Sequence, residues 1–280
     1  MMPSGNARVA GVMGWPVGHS RSPRLHGYWL EHYQLDGAYV PLAVRPEDFA
    51  TAFRALPQLG FAGVNVTIPH KEPACALVDA CDPLAQRIGA VNTVVIEDGR
   101  LIGSTTDGYG FLENLREGAP DWRSDAGPAV VLGAGGTARA VVAALLDEGA
   151  PAVRLANRTR ERAALLAQEL GGSVDVVSWD ARAEALEGAA LLVNTTSLGM
   201  TGADPLDIAL TALPAGAVVT DLVYAPLETA LLRQAKDHGY QCVNGLGTLL
   251  HQGRPGFAAW FGVDPAVTPE LRRFVLDDRV

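Results

Sequence analysis

At 280 residues the chain has room for one large domain or two of ordinary size. Hydrophobic residues make up 48% and charged residues 19%, which is enough to bury a sizeable core and excludes wholesale disorder. With 31 acidic against 22 basic residues, the chain lacks the cationic surplus that a general nucleic-acid binder uses to displace counterions, so an anionic ligand must be drawn by local positive groups. Residues 1–20 contain no adequate apolar core for a secretory signal, and no uninterrupted apolar run is long enough to span a bilayer. Cys75, Cys81 and Cys242 form no CxxC pair and no zinc spacing, and so read as reduced thiols. The expectation is a cytoplasmic, membrane-free protein with no structural or catalytic metal.

Taken in chain order, Ser22-Pro23 is a helix start, with serine as cap and proline in the first turn. Leu25, Tyr28, Trp29 and Tyr33 then share one helical face. A second helix follows Pro46, with Phe49, Phe53 and Leu56 inward and Gly60 as its stop. Phe61 to Val66 reads as a buried strand. Val94 to Glu97 and Arg100 to Ile102 flank Asp98-Gly99, the signature of a hairpin with a type I′ turn. A helix through Phe111 and Leu115 leads to the polar stretch 121–128 and the apolar strand Ala129 to Leu132. A Gly-rich turn, a helix to about Glu148, a strand from Val153 to Ala156 and a helix ending near Gly171 follow. Further strands lie around Val174, Leu191 and Val218. This alternation predicts a doubly wound dinucleotide-binding unit ending near Asn244. The helical stretch from Leu249 to Phe261 is too short to be a domain and is assigned to the first one. The expected architecture is therefore two α/β domains with a cleft between them: a discontinuous substrate-binding domain over 1–106 plus 245–280, and a Rossmann-type cofactor domain over 107–244.

Gly133-Ala134-Gly135-Gly136-Thr137-Ala138 fits G-x-G-x-x-A between an apolar strand and a helix. Gly133 permits the tight turn, Gly135 lets the backbone approach a pyrophosphate, and Ala138 allows close helix–sheet packing. The next strand ends at Asn157-Arg158-Thr159, where an NAD enzyme usually carries Asp or Glu for the ribose 2′-hydroxyl. Arg158 and Arg162, one helical turn apart, supply positive charge for a 2′-phosphate, which points to NADP.

Polar clusters also stand at strand ends and helix starts: Ser20 with Ser22, Asn65 with Thr67 and Lys71, Asn92-Thr93, and Asp107. Taken singly, Ser22 and Asp107 are also plausible helix caps, Asn92 a turn residue and Lys71 a surface lysine. Together they provide donors for a carboxylate, amides for hydroxyls and a titratable pair for proton transfer.

The motifs in order resemble those of the shikimate dehydrogenase family. They are Gly14-x-Pro16-x-x-His19-Ser20-x-Ser22-Pro23, Gly63-x-Asn65-Val66-Thr67-x-Pro69-x-Lys71, Gly89-Ala-Val-Asn92-Thr93 and Thr106-Asp107-x-x-Gly110. After the glycine turn come Asn194-x-Thr-Ser197-x-Gly199-Met200, Asp221-x-x-Tyr224-x-Pro226 and Asn244-Gly245-x-Gly247 with Gln252. The resemblance implies reversible reduction of 3-dehydroshikimate to shikimate with NADPH. It implies that Ser20 and Ser22, helped by Thr67 and Tyr224, hold the substrate carboxylate, while Asn65, Asn92, Asp107 and Gln252 bind ring hydroxyls. By the same resemblance Lys71 exchanges the proton at the reacting oxygen with Asp107 orienting it. The cofactor contacts are the glycine turn, Asn157, Arg158, Thr159, Arg162, Thr195 and Leu222, with Met200 and Gly245 near the nicotinamide.

Gly27, Thr105 and Thr248 depart from the residues common in the family at those places, and Thr105 and Thr248 leave room for an altered ring-acid preference. A quinate/shikimate dehydrogenase of broader tolerance is the nearest alternative reading, and a folate-type dehydrogenase is disfavoured by the paired serines. A non-catalytic ligand sensor is disfavoured by the presence of Lys71 and Asp107. The partner is a small molecule, and the chain's state is monomer or homodimer.

Overall fold

The computed structural model describes residues 2–277. It divides into two compact units, one running through Thr106 and resuming at Leu249, the other covering Asp107–Thr248. The first unit contains β1 (Arg8–Gly14), α1 (Ser22–His32), β2 (Gly37–Ala43), α2 (Phe49–Arg54), β3 (Phe61–Val66), α3 (Lys71–Leu77), β4 (Ala80–Cys81), α4 (Pro83–Ile88), β5 (Thr93–Glu97) and β6 (Arg100–Ser104). Its sheet runs β2-β1-β3-β5-β6-β4. The β2, β1 and β3 strands are parallel, and β5 is antiparallel to both β3 and β6. One core cluster gathers Met13, Phe49, Phe53, Val64, Val66 and Leu101.

Sequence periodicity does not reveal β1 and β2, for physical reasons. Gly11 interrupts β1 because a side chain there would meet the Val40 carbonyl at 2.5 Å. Pro41 interrupts β2, and is tolerated because β2 is an edge strand. The predicted serine cap of α1 is corrected: Arg21 holds the cap position, no side chain caps the helix, and Ser22 lies within it. The buried face of α1 is Leu25, His26, Trp29 and Leu30, with Tyr28 and Tyr33 only half-buried. The second helix ends at Arg54, short of Gly60. Asp98 and Gly99 have φ of 48° and 76°, as a type I′ hairpin between β5 and β6 requires.

The second unit contains α5 (Asp107–Gly118), β7 (Ala129–Leu132), α6 (Gly136–Asp147), β8 (Val153–Ala156), α7 (Arg160–Leu170), β9 (Val174–Val177), β10 (Leu191–Asn194), β11 (Val218–Asp221), α8 (Ala230–Asp237) and β12 (Gln241–Val243). All neighbouring strands are parallel, in the order β9-β8-β7-β10-β11-β12. The order reverses between β7 and β10, so ligand-binding turns are expected at the carboxyl ends of those two strands. Both faces of this sheet are covered, with Val131 and Val193 in one core cluster and Val130 and Leu192 in the other. The chain then enters α9 (Leu246–Phe261), inside which the division between the units falls. The last helix, α10 (Pro269–Leu276), is capped by Thr268, whose hydroxyl oxygen accepts from the Leu271 amide at 3.2 Å. No helix among the described residues is long and apolar enough to cross a membrane.

Candidate active site

In the first unit, the ends of β3, β5 and β6 meet α9 in a buried polar network. Asn65 donates from Nδ2 to the Asn92 carbonyl and to Thr93 Oγ1, both at 3.2 Å. Asn92 donates from Nδ2 to Thr106 Oγ1 at 3.0 Å and to Gln252 Oε1 at 3.2 Å. Its Oδ1 accepts from the Thr106 amide at 2.8 Å and from the Thr93 hydroxyl at 3.1 Å. Gln252 donates from Nε2 to the Leu249 carbonyl, and its own carbonyl accepts from Thr106 Oγ1 at 2.8 Å. Asn65, Asn92 and Gln252 are all buried. Groups of this kind persist inside a protein only when satisfied, and a satisfied network fixes its members' orientation.

The other first-unit candidates lie on the turns that follow β1 and β3. Ser20 Oγ accepts from the Ser22 amide at 3.3 Å, which holds the two serines side by side. The Thr67 amide donates to the Met13 carbonyl at 2.9 Å, and Thr67 Cγ2 covers Gly14 so closely that a side chain there would sit 2.4 Å away. Lys71 is half-buried at the first position of α3, and its carbonyl accepts from the Val91 amide at 2.9 Å. Backbone bonds thus tie the Thr67 turn to β1 and the Lys71 turn to the chain entering β5.

In the second unit, the β7–α6 turn has the features that a pyrophosphate requires. Gly133 has φ of +111°, and a side chain on it would meet Thr195 Oγ1 at 2.5 Å. Thr195 Oγ1 is itself fixed by donation to the Leu132 carbonyl at 2.6 Å. Gly135 is the N-cap of α6 with no side chain capping the helix, and the space above its Cα is open. The first amides of α6 are therefore available to an anion. Ala134 and Ala138 are buried, and the Thr137 hydroxyl donates to Asp107 Oδ2 across 3.4 Å. Asp107, the first residue of α5, is itself buried.

After β8, Asn157 Nδ2 donates to the Thr159 carbonyl at 2.8 Å and shapes the turn. Arg158 is exposed in that turn and Arg162 is exposed on α7. Because α7 starts at Arg160, the two arginines are not one turn apart on a helix, and that expectation is corrected.

Sequence reasoning assigned no role to Asp221, yet it organises the loops that carry three cofactor candidates. Its Oδ1 accepts from Asn194 Nδ2 at 2.9 Å and from the Val223 amide at 3.0 Å, and its Oδ2 accepts from the Thr229 hydroxyl at 2.7 Å. Asn194 Oδ1 in turn accepts from the amide and hydroxyl of Thr196. The loop bearing Thr195 and Met200 is thereby joined to the loop bearing Leu222 and Tyr224. The Thr201 amide joins them again by donating to the Ala225 carbonyl at 2.8 Å. Gly245 lies against this assembly, since a side chain there would come within 2.2 Å of the Leu222 carbonyl. Burial pushes the Asp221 carboxyl up to about 6, against the opposing pull of its three hydrogen-bond donors.

Of the three departures, Gly27 is exposed with open space around it. Thr105 is buried, and Thr248 is buried and accepts from Asn114 Nδ2 at 3.2 Å. Thr93 and Thr106 are further network members that the motifs quoted but to which no role was given. Tyr39 was missed altogether: no motif includes it, and Pro41 breaks the alternation of its strand.

A parallel sheet in this strand order, with an uncapped glycine turn at its switch point, defines a Rossmann-type dinucleotide-binding protein. The "Shikimate dehydrogenase substrate binding domain" family matches residues 12–94, and the "Shikimate / quinate 5-dehydrogenase" family matches residues 122–200. A shikimate dehydrogenase (NADP(+)) of Paramagnetospirillum magneticum is 64% identical, covering 98% of this chain and 99% of that protein. The crystal structure of shikimate 5-dehydrogenase from Thermus thermophilus in complex with NADP(H) and shikimate matches with a TM-score of 0.85 and 39% identity. That match covers 96% of this chain and 98% of the other. Quinate dehydrogenase from Corynebacterium glutamicum in complex with NAD matches with a TM-score of 0.88 at 29% identity, covering 96% and 99%. The chain belongs to the shikimate dehydrogenase family.

Proposed function

We propose that this chain is an NADP-dependent shikimate dehydrogenase of the cytoplasm, interconverting 3-dehydroshikimate and shikimate in the route to aromatic amino acids. The observation that carries the reading is the pairing of two features in one chain. One is a buried set of amides and hydroxyls suited to a polyhydroxylated ring. The other is an uncapped glycine turn on a Rossmann-ordered sheet, followed by a turn with an arginine where an NAD enzyme carries an acid.

Ser20 and Ser22 take the substrate carboxylate, with Thr67 and Tyr224 assisting. Asn65, Asn92, Asp107 and Gln252 take ring hydroxyls. The glycine turn, Gly133 to Ala138, holds the pyrophosphate on the amides of α6, and Arg158 with Arg162 supplies charge to the 2′-phosphate, beside Asn157 and Thr159. Thr195 and Leu222 would also contact the cofactor, with Met200 and Gly245 near its nicotinamide. NADP, when bound, carries the hydride away from or back to the ring carbon. Lys71 takes up the hydroxyl proton in oxidation and returns it in reduction, so that no alkoxide charge remains uncompensated. Asp107 accepts a hydrogen bond and orients the groups that exchange this proton. Substrate and cofactor are the small-molecule partners.

The test of the function is incubation of purified protein with 3-dehydroshikimate and NADPH, with the product identified by mass spectrometry. Stoichiometric shikimate and NADP are expected; unchanged 3-dehydroshikimate would reject the assignment. Lys71→Ala should lose at least about 100-fold in turnover, the lower range for general acid–base groups, while shikimate affinity measured by calorimetry stays within about threefold.

A further inference from the structure

The proposed roles leave a buried phenol unexplained. Tyr39 lies on the edge strand β2, opposite Ala10 of β1, and is 8% exposed. Its hydroxyl donates to Asn65 Oδ1 at 2.7 Å. Both Nδ2 protons of Asn65 are already given to the Asn92 carbonyl and to Thr93 Oγ1. A side-chain amide has two donors and two acceptor lone pairs. What Asn65 retains for a ligand is therefore one lone pair on Oδ1 and no proton.

We propose that Tyr39 is a positioning residue for the substrate, holding the Asn65 amide so that its carbonyl oxygen, and not its amino group, meets a ring hydroxyl. This rests on the reading that Asn65 binds a substrate hydroxyl, and it adds a selection rule to that reading. The ring substituent at that place must donate a proton. A keto group, ether or fluorine would set an acceptor against an acceptor, leaving both unsatisfied.

The surroundings keep Tyr39 in this role. Its ring stacks on His26 with centroids 3.9 Å apart and planes 3° from parallel, and Trp260 lies at 6.0 Å. Neither ring nitrogen of His26 has a hydrogen-bond partner among the described residues, so the imidazole does not occupy the remaining Asn65 lone pair. Burial pushes it down to about 3 against the nearby Asn65 amide, so the stacking partner is neutral at physiological pH. Burial also holds the Tyr39 phenol well above its usual range, against a hydrogen bond from Ser22, so its proton stays available to Asn65. Through these contacts Tyr39 joins a serine assigned to the substrate carboxylate with an amide assigned to a hydroxyl.

Tyr39→Phe keeps the ring and its stack and deletes one donor. Shikimate Kd and KM should rise about three- to tenfold, the worth of one neutral hydrogen bond. The kcat should change less than KM, and NADP affinity should stay unchanged. In an Asn65→Ala background, Tyr39→Phe should add a clearly smaller loss, because the bond to Asn65 is already gone and only the Ser22 contact is left to lose. Wild-type shikimate affinity in Tyr39→Phe, an equal loss in the Asn65→Ala background, or a parallel loss of NADP affinity would each overturn the positioning role. Wild-type protein that fails to bind shikimate would instead remove the function and this proposal with it.

Should Tyr39→Phe not fold, shikimate analogues with one ring hydroxyl at a time replaced by fluorine test the rule on wild-type protein. One analogue should lose at least about tenfold in affinity and lose nothing further in Asn65→Ala. Equal tolerance of every analogue would overturn the proposal.

Discussion

Asp221 offers a prediction whose size follows from its burial. The carboxylate has no exposed surface, and its pKa is raised from 3.8 to about 6, chiefly by desolvation and against the pull of Thr229, Val223 and Asn194. A carboxyl with a raised folded pKa binds more protons in the native state than in the unfolded chain between those two values. Its contribution to stability therefore falls as pH rises from about 4 to about 6 and stays low above that. A shift of about two units corresponds to a cost of about 3 kcal/mol at neutral pH.

Asp221→Asn keeps an oxygen for Asn194 Nδ2 and the Val223 amide, and turns its new amino group towards Thr229 Oγ1. That rearrangement loses about 1 kcal/mol at all pH values. Urea unfolding of both proteins at several pH values between about 4 and about 7.5 measures the difference, in which every other titrating group cancels. This cancellation matters because His26, with its depressed pKa, acts in the opposite sense. Its neutral form contributes stability above the unfolded value near 6.5, and that stability is lost as pH falls below it. Relative to wild type, Asp221→Asn should gain about 3 kcal/mol between the acid and neutral ends. Parallel stability curves for the two proteins would refute the reasoning, and Asp221 would then be an ordinary ionised carboxylate. Asp221→Ala should be worse at every pH, since each of three donors left without an acceptor costs about 1–3 kcal/mol.

Gly133→Ala places a methyl group 2.5 Å from Thr195 Oγ1 at a φ of +111°. It should destabilise the protein by more than about 1 kcal/mol and weaken NADP binding, as read by thermal melts with and without cofactor. Arg158→Ala should raise the NADP KM about ten- to a hundredfold, the worth of one charge-assisted bond of about 1.5–3 kcal/mol; initial-rate kinetics should show the NAD KM little changed. An equal loss with both cofactors would remove the 2′-phosphate contact.

Much of the second unit was legible in the sequence because its central strands β7 and β10 are nearly continuous apolar runs and its punctuation is local. The glycine turn, the apolar run before it and Asn157-Arg158 are read within a few residues of one another. The first unit was harder. Gly11 and Pro41 hide two of its strands, and the reason for Gly11 is a carbonyl on a neighbouring strand. The hairpin at Asp98-Gly99 was legible because both residues must adopt positive φ. The two polar networks were legible only in part. Asn65, Asn92 and Gln252 were singled out as polar residues at strand ends or through family resemblance. What the sequence could not show is that Tyr39, Thr93 and Thr106 consume their donors and acceptors. That depends on strand register between residues far apart in the chain. Asp221 was quoted within a motif, but two of its three partners lie 8 and 27 residues away.

The central claim is the pairing of shikimate with NADP, and one set of rate measurements tests it most directly. Purified protein is assayed for reduction of NADP and of NAD, by absorbance, with shikimate and with quinate. The account predicts strong activity with shikimate and NADP and at least about tenfold lower kcat/KM in the other three pairings, in keeping with the charge on Arg158. Comparable rates with quinate or NAD would contradict it in favour of a broader quinate/shikimate enzyme. A folded protein silent in all four pairings would contradict the catalytic reading as a whole.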